Sequence, residues 1–511
     1  MAGNINAFKD AEGFLNVEVP GEYGGKTVAE ALRLMGLDVD LPCGGSGRCG
    51  KCGAYVKTKD DPASGERFVR ICSTKVTGDG GLTVRLPEKL ILGNAGAGTP
   101  ETLEFSVKFE ADGRQDAFLA ADIGTTTVEA VLVYKGRPAE HFALLNPQKK
   151  YGADVISRIA FSEKEGGLER MTADIRACIG GILKKCREDH PEIAVSELYV
   201  AGNTTMQHIF YGATPAGIGR YPFTPVFTET KRVKGKDMGL PVENVTILPS
   251  ADAFIGADVV AGAALYLTKK DRGAELFIDL GTNGEMVLRA GDRYLATSSA
   301  AGPCFEGANI SCGTGGIEGA ISSVTDPGNG VSFRTIGNKK PSGICGSGLL
   351  SLVALLLEKN IIDETGLMGD DHEIAGLHDT GKGGEYLNTG LFLTKKDVRE
   401  FQLAKAAIRT GIDILLEKGG VRAADVSTVY TAGGLGSFID PEAALKTGLF
   451  PPEFANKTVS PGNTSLEGAV RAGSDPSFVE KAGELASKIE TFSLNDVKEF
   501  NTRFVDNMYF E

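Results

Sequence analysis

Four closely grouped cysteines constrain the fold of this chain more than any other feature. They are Cys43, Cys49 and Cys52 in the stretch LPCGGSGRCGKCGAYV and Cys72 in VRICST, so their spacing is C-x5-C-x2-C-x19-C. A three-cysteine loop closed by a distant fourth ligand can enclose a two-iron, two-sulfide cluster. Zinc is the alternative, but structural zinc normally uses two C-x2-C pairs, and only Cys49 and Cys52 form one here. We therefore expect these four residues to hold one 2Fe-2S cluster.

The residues around this loop predict a small mixed domain. Four glycines accompany the cysteines: Gly44, Gly45, Gly47 and Gly50. Because glycine permits positive φ, the backbone can wrap closely and direct N–H groups toward the sulfides. Four flanking segments alternate like strands, and Thr27 with Glu30 predicts a capping box for a helix that Gly36 ends. Strands with one crossing helix predict a β-grasp domain over residues 1–90.

Composition narrows the class of function. The chain has 511 residues, of which 42% are hydrophobic and 24% charged, enough for two to four domains. The sequence starts without an apolar segment of signal-peptide length, and no apolar run is long enough to cross a bilayer, so we expect a cytoplasmic protein without a membrane partner. In a reducing compartment, clustered cysteines favour a metal or redox site over disulfides. The net charge of −13 argues against nucleic acid as a partner.

An internal repeat follows a Gly- and Pro-containing stretch that predicts a linker over residues 91–115. The segments FLAADIGTTTVEAVLV and LFIDLGTNGEMVL each combine an apolar strand, an Asp-x-Gly-Thr turn and a second apolar strand. A period of roughly 160 residues is too long for a solenoid and suits two duplicated α/β lobes that face each other. We assign these lobes to residues 116–270 and 271–511.

Each of these turns has the features of a phosphate-binding turn. Backbone N–H groups at a glycine can approach phosphate oxygens closely, and hydroxyl groups add donors. The expected phosphate-binding residues are Gly124, Thr125, Thr126, Gly281, Thr282 and Asn283. We expect Asp122 and Asp279 to be catalytic, because a carboxylate from each lobe can hold Mg²⁺ through water and orient the water that attacks the γ-phosphate. One copy alone would read as a hairpin turn, whereas two copies in matching context favour phosphate binding.

Further glycine-rich segments lie beyond the first turn. In VSTVYTAGGLGSFID, we expect Gly433, Gly434 and Gly436 to approach an adenosine without side-chain clash. Two glycine-bounded helices, in YVAGNTTMQHIF and GICGSGLLSLVALLL, have two readings. They are either a hinge between the lobes or ordinary close helix packing.

These motifs resemble two known families. The cysteine loop is similar to that of plant-type and adrenodoxin-like ferredoxins. Residues 116–511 resemble the acetate kinase, sugar kinase, Hsp70 and actin superfamily, which implies the use of ATP. The expected fold class is therefore an α/β multidomain protein, with a β-grasp 2Fe-2S ferredoxin domain followed by a duplicated actin-like (ribonuclease H-like) ATPase.

The fusion of these two parts resembles the reductive activators of corrinoid proteins, as do the segments VAGNTTM, DLGTNGE, GPCFEGA and GICGSG. The resemblance implies an ATP-hydrolysing enzyme that passes an electron from its cluster to the inactive Co(II) corrinoid of a partner methyltransferase protein, restoring Co(I). A low-potential donor would reduce the cluster, and the oligomeric state, a homodimer included, stays open. Larger members carry a middle domain between ferredoxin and ATPase, which we expect to be missing here.

The rival hypothesis is a small-molecule kinase with an appended redox-sensing ferredoxin domain. It needs a carboxylate base near the γ-phosphate, and Asp252 or Asp258 could serve. Five further cysteines need an assignment: Cys178, Cys186, Cys304, Cys312 and Cys345. We expect the first two, which lie in a predicted helix, to be core residues. The last three lie in glycine-rich segments without the tight spacing of the N-terminal loop, so we expect no second cluster there.

Overall fold

A computed structural model describes most of the chain. The described residues are 7–10, 14–39, 41, 45, 47, 52–59, 65–77, 80–87, 90–91, 117–267, 273–326, 331–368, 374–376 and 391–510. Several predicted features lie outside them: Cys43, Cys49, Gly44, Gly50 and the linker beyond residue 91.

The N-terminal part of the chain forms one sheet crossed by one helix. The strands are β1 (Ala7–Lys9), β2 (Leu15–Val19), β3 (Gly53–Thr58), β4 (Arg67–Arg70) and β5 (Leu82–Leu86). Their order is β1-β2-β5-β3-β4, and each neighbouring pair is antiparallel. Helix α1 (Val28–Leu34) buries Val28, Ala31 and Leu32 in the core that it shares with the sheet. This arrangement has the strands and the crossing helix that the sequence predicts.

The predicted capping box of α1 is confirmed. The Thr27 hydroxyl accepts a hydrogen bond from the Glu30 N–H at 3.2 Å, and the Glu30 carboxylate accepts one from the Thr27 N–H at 2.9 Å. Gly36 follows the helix with a φ of 92°, which a residue with a β-carbon rarely adopts. Local sequence alone therefore sets both ends of α1.

The second part of the chain is a six-stranded sheet with helices. Its strands are β6 (Ala117–Ile123), β7 (Thr127–Tyr134), β8 (Arg137–Leu145), β9 (Val195–Gly202), β10 (Lys231–Lys234) and β11 (Asn244–Ile247). Its helices are α2 (Val155–Ser162), α3 (Gly167–Asp189), α4 (Thr204–Tyr211) and α5 (Ala257–Tyr266). The strand order is β10-β11-β9-β6-β7-β8. As predicted, Cys186 is buried in the core of this lobe and Cys178 packs against that core.

The third part contains a second six-stranded sheet. The strands of this sheet are β12 (Ala274–Leu280), β13 (Gly284–Ala290), β14 (Arg293–Ser299), β20 (Val426–Ala432), β21 (Thr458–Val459) and β22 (Ile489–Thr491). Two smaller sheets contain β15 (Ala320–Thr325), β16 (Ser332–Thr335) and β17 (Gly343–Ile344), and β18 (Ile374–Gly376) and β19 (Phe392–Thr394). The helices are α6 (Gly346–Glu358), α7 (Lys395–Gly419), α8 (Gly433–Gly436), α9 (Pro441–Lys446), α10 (Thr464–Ser474), α11 (Pro476–Lys488) and α12 (Phe500–Asp506). The main sheet has the order β21-β20-β12-β13-β14-β22.

Five strands of each six-stranded sheet repeat one topology, which confirms the predicted duplication, whereas the sixth strand, β10 or β22, lies at opposite edges of the two sheets. In each, the strand before the Asp-x-Gly-Thr turn heads an antiparallel meander, β6-β7-β8 or β12-β13-β14. The same strand pairs in parallel with a later strand, β9 or β20, which pairs in parallel with β11 or β21. Because the turns follow equivalent strands, they occupy equivalent positions in the two lobes.

One hydrophobic core joins the two sheets. It combines Phe118 and Val131 of the first sheet with Phe277 and Val287 of the second, and helices α5 and α10 contribute to it from between them. The core therefore draws on both sides of residue 270. Within the described part of the chain, no helix is long and apolar enough to cross a bilayer.

We predict that the contact between α5 and α10 tolerates no added methyl group. A β-carbon at Gly468 of α10 would lie 2.4 Å from that of Ala261 in α5, whereas one at Gly483 of α11 would meet no described atom within 4 Å. Gly468→Ala should therefore lower the free energy of unfolding by about 1–2 kcal/mol. Gly483→Ala gains the same helix propensity and should raise it by up to about 1 kcal/mol. Denaturant titration measures both, and equal stabilisation by the two substitutions would contradict the packing described.

Candidate nucleotide and cluster sites

One asparagine, Asn146, forms hydrogen bonds to the first Asp-x-Gly-Thr turn, which lies between β6 and β7. The Asn146 side-chain amide donates a hydrogen bond to the Gly124 carbonyl at 2.7 Å, and the Asn146 backbone N–H donates one to the Thr126 carbonyl at 2.9 Å. Both carbonyls thus point away from the open side of the turn. The Asn203 side chain, which caps α4, donates a hydrogen bond to the Thr125 hydroxyl at 3.1 Å.

A buried arginine also supports this turn. Arg158 of α2 is fully buried and donates hydrogen bonds to the carbonyls of Thr125 and Gly152. Burial lowers the pKa of the Arg158 guanidinium to about 9, although the negative charges of Asp154 and Glu306 raise it. A positive charge directly behind a phosphate-type turn favours an anion in front of it. Sequence reasoning missed both Arg158 and Asn146, because each comes from a separate element without a motif of its own.

A glutamate lies between the second turn, which joins β12 to β13, and the first turn. The Thr282 hydroxyl donates a hydrogen bond to the Glu306 carboxylate at 2.7 Å. Burial raises the pKa of Glu306, whereas the Thr282 and Thr126 hydroxyls lower it, so Thr126 of the other lobe also lies near this carboxylate. Glu306 thus lies close to both turns. It lies in the GPCFEGA segment, which the sequence analysis noted only as part of a resemblance.

Asp122 lies at the junction of the lobes. The Ser465 hydroxyl donates a hydrogen bond to one Asp122 oxygen at 2.7 Å, and the Asn463 amide donates to the other at 3.2 Å. Both donors come from the start of α10, so the second lobe positions a carboxylate of the first. Burial raises the pKa of Asp122 to about 7. The Ser465 hydrogen bond lowers it, whereas the charges of Glu129 and Asp258 raise it.

Three more carboxylates crowd the same space. Burial raises the pKa of Asp279 well above its usual range, and the charges of Asp258 and Asp122 raise it further. The pKa of Glu285 is also well raised, by burial and by the charge of Asp279. Asp258, at the start of α5, has its pKa raised by burial. Acidic side chains from both lobes therefore destabilise one another's charge, so a cation here would be strongly favoured.

The donor set fits Mg²⁺ held through water. Carboxylate oxygens are the ligands that Mg²⁺ prefers, and this ion usually keeps several waters. Among the described residues, no three His, Cys, Asp or Glu side chains lie close enough to bind a metal directly. Contact of Asp122 and Asp279 with Mg²⁺ through bound water stays a prediction.

The glycines of α8 pack against the second turn. Gly433 has a φ of 80°, and a β-carbon there would lie 2.3 Å from an Asp279 carboxylate oxygen. A β-carbon at Gly434 would meet no described atom within 4 Å, so this position is open to an approaching ligand. Gly436 packs on the Thr431 backbone. The glycine-rich segment 433–436 therefore lies beside Asp279, where a nucleotide between the lobes would need it.

The glycines of GICGSG lie in close contact with neighbouring backbone. A β-carbon at Gly346 or Gly348 of α6 would lie 2.1 Å from a carbonyl oxygen, as expected if these glycines permit close helix packing.

The two candidate bases of the kinase hypothesis lie in different surroundings. Asp258 lies among the cleft carboxylates, whereas Asp252 accepts hydrogen bonds from Thr491 at 2.7 Å and from the Ala253 N–H. Cys304 and Cys345 are buried, and Cys312 is half-buried.

The described part of the cysteine loop packs as a tight wrap requires. Cys52 and Cys72 are both buried. Gly45 has a φ of 78°, and a β-carbon there would lie 3.9 Å from that of Cys72. The Gly47 carbonyl accepts a hydrogen bond from the Arg70 side chain at 2.8 Å. The other two expected ligands, Cys43 and Cys49, lie outside the described residues.

Three family models match the chain in consecutive order. A 2Fe-2S iron-sulfur cluster binding domain matches residues 12–77, the RACo middle region matches residues 118–270, and the C-terminal domain of RACo, an ASKHA domain, matches residues 273–511. The predicted fold class is confirmed. The expectation that the middle domain is missing was wrong, because the model of the middle region matches the segment that we assigned to the first ATPase lobe.

Two curated proteins resemble the chain. It is 33% identical over 384 residues to the corrinoid activation enzyme RamQ of Eubacterium limosum, a match that covers 69% of this chain and 63% of that protein. It is 31% identical over 271 residues to a Co(II) methylated amine-specific corrinoid protein reductase of Methanosarcina barkeri, covering 48% of this chain and 47% of that protein. The chain thus spans less than two thirds of the length of either relative.

A solved structure covers nearly the whole fold. The chain superposes on a protein described as a reductive activator for corrinoid, iron-sulfur protein with a TM-score of 0.67 and 25% sequence identity. The superposition covers 95% of this chain and 96% of that chain.

We predict that Asp122→Asn and Asp279→Asn each slow ATP hydrolysis at least ~100-fold, because charge is stabilised most in the transition state. Nucleotide affinity should change by less than ~10-fold, since much of the binding comes from the turns. Steady-state hydrolysis and equilibrium binding of a fluorescent nucleotide measure the two effects. Asp237→Asn, at an exposed carboxylate outside the cleft, is the control. Turnover at the wild-type rate in either cleft variant would refute a catalytic role.

We also predict a pH-dependent stability that originates at Asp122. Its folded-state pKa is about 7, whereas an unfolded aspartate titrates near ~3.9. Between these values the folded chain binds more protons, so the free energy of unfolding falls as pH rises and the loss is complete above pH ~7. In chelator-treated protein between pH 5 and 8, wild type should lose about 1–3 kcal/mol more than Asp122→Asn. Parallel stability profiles for the two proteins would contradict this.

Proposed function

Because the chain belongs to the RACo-type family, in which a 2Fe-2S domain is joined to the RACo middle region and an ASKHA domain, we propose that it is an ATP-dependent reductive activator of a corrinoid protein. An electron passes from its 2Fe-2S cluster to the inactive Co(II) of a corrinoid on a partner protein and restores Co(I). The observation that carries this proposal is the pair of phosphate-type turns, with Glu306 close to both, in the same chain as the four-cysteine motif. The names of two relatives and of the superposed structure point to the same substrate.

In this proposal the two turns hold the phosphates of ATP. Residues 124–126 and 281–283 supply backbone and hydroxyl donors, and residues 433–436 accommodate the adenosine. When bound, Mg²⁺ offsets the charge of the β- and γ-phosphates. Asp122 and Asp279 would hold this ion through bound water and orient the water that attacks the γ-phosphate. The cation also relieves the repulsion among the cleft carboxylates.

Glu306 gives nucleotide binding a structural effect. A γ-phosphate between the turns must compete with the Glu306 carboxylate for the Thr282 hydroxyl and for the space beside Thr126. Two anions cannot share one donor without strong repulsion, so ATP displaces the carboxylate from the second turn. The contact between the lobes therefore differs before and after nucleotide binding, as a change driven by ligand binding requires.

The energetic need for ATP follows from the chemistry of cobalt reduction. When bound, a cluster of the plant ferredoxin type supplies one electron near roughly −400 mV. Each ~59 mV of uphill transfer lowers the equilibrium yield about tenfold for one electron. A nucleotide-driven change in how the chain fits its partner can favour the complex in which transfer occurs.

We propose as the partner a corrinoid protein of a methyltransferase system, with a low-potential reductant as the electron donor. We place the protein in the cytoplasm, because four cysteines available to bind iron require a reducing compartment.

A small-molecule kinase is the second candidate. Asp258 favours it, since a carboxyl group with a raised pKa in the cleft suits a general base. A screen for phosphorylated small molecules separates the candidates, because the proposed activator releases only ADP and phosphate.

We predict that Co(I) forms only when both the cluster and ATP hydrolysis are intact. In an anaerobic mixture with corrinoid protein, chemical reductant and Mg-ATP, wild type should produce the Co(I) absorption band. Cys49→Ser should abolish it by removing a cluster ligand, and Asp279→Asn should abolish it by stopping hydrolysis. Cys178→Ser, in helix α3 outside the cluster loop, is the matched control and should retain activity. Full-rate Co(I) formation without nucleotide would contradict the proposal.

A further inference from the structure

The ferredoxin-like part of the chain touches the first lobe through helix α1. The Arg33 side chain donates a hydrogen bond to the Lys150 carbonyl at 2.9 Å, and its guanidinium lies 5.5 Å from the centre of the Tyr151 ring. Asp38, just beyond α1, forms an ion pair with Lys150 at 3.5 Å. These contacts all fall on one short segment of the first lobe, residues 147–151.

This segment is tied to the first phosphate-type turn. It starts directly after Asn146, whose amide and N–H hold the Gly124 and Thr126 carbonyls. The Asn146 carboxamide oxygen in turn accepts a hydrogen bond from the Gln148 N–H at 2.9 Å. At its far end, the Gly152 carbonyl accepts a hydrogen bond from Arg158 at 3.0 Å, and the same guanidinium holds Thr125. The turn and the segment therefore share supports at both ends.

On the other side, α1 leads directly to the cysteine loop. Asp38 precedes Cys43 by five positions in the sequence. The Leu41 side chain lies 3.6 Å from the position of a β-carbon at Gly45, and that position lies 3.9 Å from the Cys72 β-carbon. A shift of α1 would therefore move the residues that pack against Cys72, an expected cluster ligand.

The chemistry of the contact suits reversible docking. On the lobe, Lys150 pairs with Asp174 at 3.0 Å and the Tyr151 hydroxyl donates to the same carboxylate at 2.7 Å, so this side is pre-arranged. On the ferredoxin side, Arg33 Nε is buried, forms no hydrogen bond and lies 3.9 Å from an Asp38 oxygen. A buried donor without an acceptor weakens the docked state, so modest changes in the segment can release it.

We propose that α1 and residues 147–151 form a docking interface through which the nucleotide at the first turn controls the position of the cluster. This inference rests on the proposed function and adds to it the route from ATP to the electron-carrying part. Phosphate bound to the donors of Gly124–Thr126 moves the turn, and the Asn146 and Arg158 hydrogen bonds to its carbonyls pass this movement to the segment. The segment then shifts, the Arg33 hydrogen bond breaks, and the ferredoxin part becomes free to meet the partner.

Hydrogen exchange on the whole chain tests this without any corrinoid protein. In wild type, Mg²⁺ with a non-hydrolysable ATP analogue should speed amide exchange in residues 28–39 about tenfold, because a docking contact of one charged hydrogen bond is lost. Strand β3, distant from the interface, should not respond. In Arg33→Ala, residues 28–39 should exchange at the faster rate with or without nucleotide, while residues 146–152 still respond. Arg33→Lys should restore part of the nucleotide effect.

The control variant is Arg67→Ala, at an exposed arginine of β4, which should behave as wild type. Unchanged visible absorption and unchanged ATP hydrolysis would establish that Arg33→Ala keeps both the cluster and the nucleotide site. No nucleotide effect on residues 28–39 in wild type, or the same effect in Arg33→Ala, would overturn the inference. Failure of wild type to produce Co(I) would instead count against the proposed function, because the exchange measurement needs no partner.

Discussion

Like charges are held together where the two lobes meet, and the rest of the structure depends on this constraint. Asp122 from the first sheet and Asp279 and Glu285 from the second all have raised pKa values, mainly through burial and partly through the charges of neighbouring carboxylates. Neutral donors from α10 and a shared hydrophobic core hold the lobes in place around them. In the proposed function, the Mg²⁺ that accompanies ATP would offset this repulsion.

The same constraint explains how a nucleotide could act at a distance. Glu306 lies close to both turns, and Asn146 and Arg158 tie the first turn to the segment on which the ferredoxin-like part rests. A phosphate that takes the Thr282 hydroxyl breaks its bond to Glu306. The bonds from Asn146 and Arg158 hold carbonyls of the first turn, so they transmit a movement of that turn to the segment. The proposed coupling therefore needs no direct contact between nucleotide and cluster. It needs only that the turn and its support move together.

Much of the fold could be predicted from local sequence. The capping box of α1 and the repeated Asp-x-Gly-Thr turns depend on residues a few positions apart, so their pattern is visible in one dimension. Glu306, Asn146 and Arg158 could not be predicted, because their importance comes from contacts made across the fold by elements without a recognisable motif. The middle region was misjudged for a related reason. Its sequence reads as the first lobe of an ATPase, and only the family model identifies that lobe as the middle region.

The central claim is that one electron passes from the cluster to cobalt only when ATP is bound and hydrolysed. A single-turnover experiment tests it most directly. Protein with its cluster reduced, and with excess reductant removed, is mixed rapidly with a Co(II) corrinoid protein, with or without Mg-ATP. Cluster oxidation and Co(I) formation are then followed at their separate absorption bands. The account predicts one Co(I) for each cluster oxidised, formed together and only with Mg-ATP. Equal Co(I) formation without nucleotide, or cluster oxidation without Co(I), would contradict it.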